Sequence, residues 1–162
     1  MKIHYSAKNI ISGFFVYSAG DTIATLLMGN FSVGRMIGMA CLGAAIYAIE
    51  IPNWFMFIDK VEPNKGTLKS KFKRIAMSVA FFNPIWISRH MLFISLFSGK
   101  WASVSWNIVG AASMSFMTNI PISIFVNYCI QNKLRPEWRY YASSIYSALM
   151  SIVYAMGAVW FK

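Results

Sequence analysis

With 162 residues, 57% of them hydrophobic and 12% charged, the chain is one domain in length and far from soluble globular proteins, in which about a quarter of residues are charged. A net charge of +10 would point a soluble protein toward nucleic acid, but here the basic residues fall between apolar runs, where they act as membrane-orientation signals. Nucleic acid is therefore excluded as a partner, and a mean hydropathy of +0.52 with eleven methionines fits a chain solvated largely by lipid.

Five apolar stretches follow one another, at 10–27, 36–58, 75–97, 104–130 and 141–160. The first is preceded by Lys2 and Lys8, like a signal peptide, but it holds Asp21 and four more such runs follow, so a retained signal-anchor is expected. The second contains a single charged residue, Glu50, and exceeds the roughly 20 residues needed to cross about 30 Å of hydrocarbon. Its first half is rich in small residues (Gly38, Ala40, Gly43, Ala44, Ala45) that let another helix come close, and its second half ends in Pro52, Trp54, Phe55 and Phe57. Short polar connections join the stretches, at 29–32, 59–74, 98–100 and 131–139. No strand-type alternation competes. The expected fold is an all-α, polytopic transmembrane helix bundle of about five membrane-crossing helices in one integral-membrane domain, residues 1–162.

Orientation follows from the basic residues. With five spans and the N-terminus inside, the inner side carries eleven Lys and Arg, the outer side carries Arg35, Lys100 and Lys162, and Arg89 falls within the third stretch. A first stretch lying in the interface would leave four spans. Glu50-Ile51-Pro52 with its aromatics and Asp59-Lys60 recurs loosely as Asn119-Ile120-Pro121 and Asn132-Lys133, the kind of internal repeat common in small transporters.

The intramembrane polar residues carry the chemistry: Asp21, Glu50, Arg89, His90, Asn119 and Asn127, with Asn107 beside them. Such residues face a bundle interior and pair, and Arg89 is expected to take Asp21 or Glu50 as partner. They serve either as an ion pair fixing helix register or as a path for a small polar solute or proton, with Glu50 or His90 titrating. Pro52, Pro84 and Pro121 are expected helix kinks, whose freed carbonyls would line a wet cavity or serve packing. No nucleophile elbow, phosphate loop or dinucleotide fingerprint is present, and Cys41 and Cys129 read as packing residues, so no enzyme, cofactor or metal is expected. The basic run Lys65, Lys69, Lys71, Lys73 and Arg74 is either an orientation signal or a contact for anionic lipid headgroups.

Gly20-Asp21, then Trp54-Phe55-Met56-Phe57-Ile58-Asp59, Pro63, Pro84, Gly99, Pro121, Asn127-Tyr128 and Arg135 resemble, in order and spacing, the motifs of the Mpv-seventeen family, the relatives of the twenty-two-kilodalton peroxisomal membrane protein. The chain departs from that pattern at Thr25, Ser78-Val79, Ile120, Ile124 and Tyr146-Ser147, where the family has polar or tryptophan residues. The resemblance implies a small protein of the mitochondrial inner or peroxisomal membrane, regarded as a channel or a factor in metabolite homeostasis. Asp21-Thr22-Ile23-Ala24 and Phe81-Phe82-Asn83-Pro84-Ile85-Trp86 are also similar to the bacterial L-alanine exporter family, which would imply a bacterial inner membrane, but the stretch through Trp138 to Trp160 extends past that family's end. Two functions are expected: a channel or transporter for a small polar solute, or a structural or accessory subunit that associates with other membrane subunits or with itself.

Overall fold

Residues that start and stop helices sit where the helices of this chain begin and end. A computed structural model describes residues 3–160, with the side chains at 103 and 153–160 outside that description. Among the described residues seven α-helices follow in order: α1 (Ala7–Leu27), α2 (Val33–Leu42), α3 (Ala48–Val61), α4 (Leu68–Phe81), α5 (Pro84–Phe97), α6 (Asn107–Asn132) and α7 (Pro136–Trp160). A π-helical segment, Gly43–Tyr47, joins α2 to α3, and a 3-10 turn, Trp101–Ser103, precedes α6. No strand occurs among the described residues.

Ser6, Ser32, Thr67 and Asn83 cap α1, α2, α4 and α5. Each side-chain oxygen accepts the backbone N–H three residues on, at 3.3, 3.4, 3.2 and 3.0 Å. Helices α1 and α5 end alike. Gly29 and Gly99 adopt left-handed backbone (φ 67° and 69°), and the residues after them reach back, Asn30 N–H to the Thr25 carbonyl at 2.9 Å and Lys100 N–H to the Ser95 carbonyl at 3.0 Å.

Among the described residues four helical runs are long and apolar enough to cross a membrane: Ala7–Leu27, Val33–Val61, Leu68–Phe97 and Asn107–Asn132. The chain is a helical membrane protein. The count of about five is not reached among the described residues. The fifth stretch lies in α7, whose C-terminal side chains are outside the description, as are Lys2 and Lys162 of the orientation count. The third stretch departs from a single kinked helix. Phe82 ends α4, Asn83 caps α5, and Pro84 occupies the first helical position, where a missing N–H costs nothing. Pro84 therefore starts a helix, whereas Pro52 and Pro121 do lie inside α3 and α6. The connection expected over 59–74 is also shorter, because α3 continues to Val61 and Lys69 to Arg74 ride on α4.

The chain divides into two compact units, Met1–Ile51 with Tyr140–Lys162, and Pro52–Arg139. In the first, α1 lies against α2 and the π segment at a separation only glycine permits. A Cβ on Gly13 would overlap the Gly43 carbonyl oxygen, and a Cβ on Gly43 would overlap that of Gly13. Further along α1, a Cβ on Gly20 would stand 2.5 Å from Ala148 Cβ on α7. Small residues do the same at helix contacts generally in membranes, where lipid is as apolar as the side chains and close packing supplies the attraction. In the second unit α6 packs on both α4 and α5. Trp54 stacks on Phe81 at 5.0 Å and donates its indole N–H to the Met77 carbonyl at 3.1 Å.

Candidate functional site

In the first unit the intramembrane acid is already neutralised. Asp21 is buried on α1, and Arg35, in the first turn of α2, donates Nε to Oδ2 at 2.8 Å and Nη2 to Oδ1 at 2.5 Å. Two parallel charge-assisted bonds of this kind fix both side chains. Of the two partners expected for Arg89, Asp21 or Glu50, Asp21 is taken by Arg35, because the tight turn at Gly29 returns the chain so that Arg35 reaches the carboxylate. Glu50 sits half-buried in the first turn of α3.

Beyond α2 in the same unit the π segment interrupts regular α-helical bonding, and tyrosine hydroxyls meet its carbonyls. Tyr140 donates to the Gly43 carbonyl at 3.4 Å and Tyr5 to the Ala44 carbonyl at 3.0 Å. Tyr17, whose ring lies 4.8 Å from that of Tyr47, points its hydroxyl toward Ser144 and Ser147 of α7. Tyr17, Tyr47, Tyr140, Ser143 and Ser144 are all buried. The interior of this unit is thus a seam of hydroxyls and backbone carbonyls within apolar helices.

The second unit contains a larger charged cluster. Arg74 (0% exposed) and Arg139 (1%) converge on one carboxylate, that of Asp59. Arg139 Nη1 donates to both Asp59 oxygens at 2.9 Å, and Arg74 Nη2 donates to Oδ1. One carboxylate facing two guanidiniums leaves a positive surplus, and helix ends absorb much of it. Arg74 also donates to the Glu62 carbonyl at 2.6 Å, just past α3, and to the Gln131 carbonyl at 3.1 Å in the last turn of α6. Arg139 Nε reaches the Leu134 carbonyl at 3.3 Å, just past the same helix. Carbonyls at helix C-termini carry partial negative charge and lack helical donors, so cations belong there. A neutral extension follows along α4 and α6: Ser78 donates to Asn127 Oδ1 at 2.6 Å, Gln131 Nε2 donates to Ser78 Oγ at 3.4 Å, and Asn127 Nδ2 donates to the Ser123 carbonyl at 2.9 Å.

At the exposed edge of this cluster Lys73 pairs with Glu62 at 3.1 Å, and its ammonium holds the Glu62 carboxyl below the usual carboxylate range. Partial desolvation, then repulsion from Arg139, pushes Lys65 down. Arg74, expected among the headgroup contacts, is fully buried and engaged by Asp59 and two carbonyls, which removes it from the surface set.

The remaining expected residues lie on α5 and α6. The Arg89 guanidinium stands 5.8 Å above the Trp86 ring, and His90 stacks on the same ring at 5.9 Å. Asn119 is half-buried, and Asn127 belongs to the Ser78 network. Of the six expected pore residues, Asp21 and Glu50 thus fall in one unit and Arg89, His90, Asn119 and Asn127 in the other. Among the described residues no group of three or more His, Cys, Asp or Glu is placed to hold a metal ion.

The sequence did not single out Arg35, Arg139, Gln131, Ser78 or the tyrosines as site residues. A usable signal existed for the tyrosines: a hydroxyl at the edge of or inside an apolar run seeks a partner once buried, and Tyr140 finds one in the Gly43 carbonyl, with Tyr17 and Tyr47 buried in the same unit. Comparison with protein-family models, curated proteins and solved structures finds no match to this chain, so its function rests on the residues themselves.

Proposed function

We propose that this protein is a small helix-bundle channel or transporter passing a small polar solute, in the mitochondrial inner membrane that its family resemblance implies. The observation that carries the reading is the π-helical segment inside the second apolar span, with its carbonyls turned to tyrosine hydroxyls. π segments recur at functional sites, and irregular backbone at membrane depth is tolerated where it lines a cavity or is buried in protein. Transporters commonly place solute sites at such interruptions. In the first unit Asp21 and Glu50 are the proposed polar lining, with Tyr17, Tyr140 and Ser144 added to it, and Arg89, His90, Asn119 and Asn127 are the proposed polar residues of the second unit.

Reconstituted at known density in liposomes, the full chain is expected to pass small polar solutes. Tyr140→Phe, which removes one hydroxyl and leaves the ring, should slow passage by roughly 5- to 10-fold, the worth of a hydrogen bond of about 1 kcal/mol. Arg89→Ala should change the preference between anions and neutral solutes. Liposomes that stay sealed at full protein load would overturn the reading.

A second reading has its own support. The acids Asp21 and Asp59 are bound by arginines of their own unit, which suits a rigid scaffold such as an accessory subunit of a larger assembly. Extraction in mild detergent followed by sizing separates the two readings, because the subunit must then migrate with unrelated chains and the free channel must not.

A further inference from the structure

An open groove of about 280 Å³ runs between α4 and α6. Its walls are Leu68, Phe72 and Ile75 on one side and Ile124 and Phe125 on the other, with Pro121 contributing where α6 carries its internal proline. Leu68, Phe72 and Phe125 are 72%, 66% and 68% exposed, so the groove is open at these walls, while Ile75 is buried at its base. The polar members of the lining are Lys71 and Tyr128, and Lys133 stands 5.9 Å above the Tyr128 ring, which brings a second ammonium to the site.

The charge around this groove is one-sided. The unit that contains it, Pro52–Arg139, holds eleven Lys and Arg against three acids. Two of those acids are engaged, Asp59 by Arg74 and Arg139 and Glu62 by Lys73. No acidic side chain lines the groove. The occupant therefore needs an apolar part for the aromatic and branched walls and an anionic part for Lys71 and Lys133. The volume lies at the low end of small-ligand pockets and is too small for a packed helix. On a membrane protein one abundant molecule has both parts.

The geometry points to a binding site for one anionic phospholipid, an acyl chain in the groove between α4 and α6 and its phosphate at Lys71 and Lys133. The site extends the general attraction of a basic surface to an anionic leaflet by adding a shaped apolar seat, so it selects on headgroup charge and retains the chain. It is independent of whether the protein passes a solute. Lys65 and Lys69 lie outside the groove lining and add only general attraction.

The test uses the full chain in phosphatidylcholine vesicles doped with spin-labelled phosphatidylglycerol or spin-labelled phosphatidylcholine, reading the motionally restricted fraction. The native chain should restrict the anionic lipid preferentially. Lys71→Gln with Lys133→Gln should lower that preference about 5-fold per lysine, the equivalent of about 1 kcal/mol per basic residue at the surface. Ile124→Trp, which fills the groove and leaves both lysines, should also abolish it. Both lysines are solvent-accessible, so the helical signal and unfolding midpoint should be unchanged in the double variant, and a folded variant that keeps the full preference overturns the proposal. An unaltered preference in Ile124→Trp, or its loss to inorganic phosphate alone, would reduce the site to a surface anion contact and overturn it equally.

Discussion

Replacing Asp59 by Asn should destabilise the protein by about 3–5 kcal/mol, because two guanidiniums would stay buried with no counter-charge. For a chain of this length that corresponds to a fall of roughly 10 °C in the unfolding midpoint, measurable by circular dichroism in detergent. Arg74 and Arg139 cannot reach solvent when the carboxylate is gone, since both are essentially fully buried. The carbonyls of Glu62, Gln131 and Leu134 would still accept their bonds, but partial charges do not replace a full one. The combined change Asp59→Leu, Arg74→Met, Arg139→Met should recover much of the loss, as apolar replacement of a whole buried ion cluster often does. A midpoint unmoved by Asp59→Asn would show that the cluster contributes nothing to the fold.

The second large effect belongs to the glycine pair. Gly13→Ala or Gly43→Ala places a methyl group against the opposing backbone carbonyl, where no side chain can rotate away, so the two helices must part. Overpacking of this kind costs about 1–3 kcal/mol, and the parted helices would also lose the contacts that surround Tyr17 and Tyr47. Gly110→Ala is the control. Nothing lies within 4 Å of a Cβ there, in the first turn of α6, and the helix should gain stability by several tenths of a kcal/mol. The yield of monodisperse protein after extraction should fall for the first two variants and hold for the third.

Much of the secondary structure was legible because the signals are local. Ser6, Ser32, Thr67 and Asn83 cap helices, Gly29 and Gly99 end them, and the apolar runs have the length of a bilayer. The small residues of the second stretch did foretell a close contact at Gly43. Pairing was less legible, because it depends on which polar groups the turns bring together. Asp21 and Arg35 are only fourteen residues apart, but Arg35 precedes an apolar run and counted as a loop cation. Asp59, Arg74 and Arg139 come from three helices, and sequence spacing cannot show that two arginines share one carboxylate. Pro84 illustrates a different limit. A proline behind Asn reads equally as a kink or as a helix start, and the side chain of Asn83 bonding to the Trp86 N–H decides for the start.

A π turn accommodates one residue more than an α turn, so Gly43–Tyr47 gives the second span its own additional residue. Were that segment to wind as regular α-helix with no residue removed, the helix beyond it would swing by about 100° around its axis, the step of one residue. Ile51, Phe55 and Ile58, now turned inward, would rotate toward the acyl chains, and Asp59 would be carried away from both arginines. Such a chain would insert as readily as before and yet present the wrong side to its neighbours. Greasiness puts this helix into the bilayer, and one wide turn sets its rotational phase.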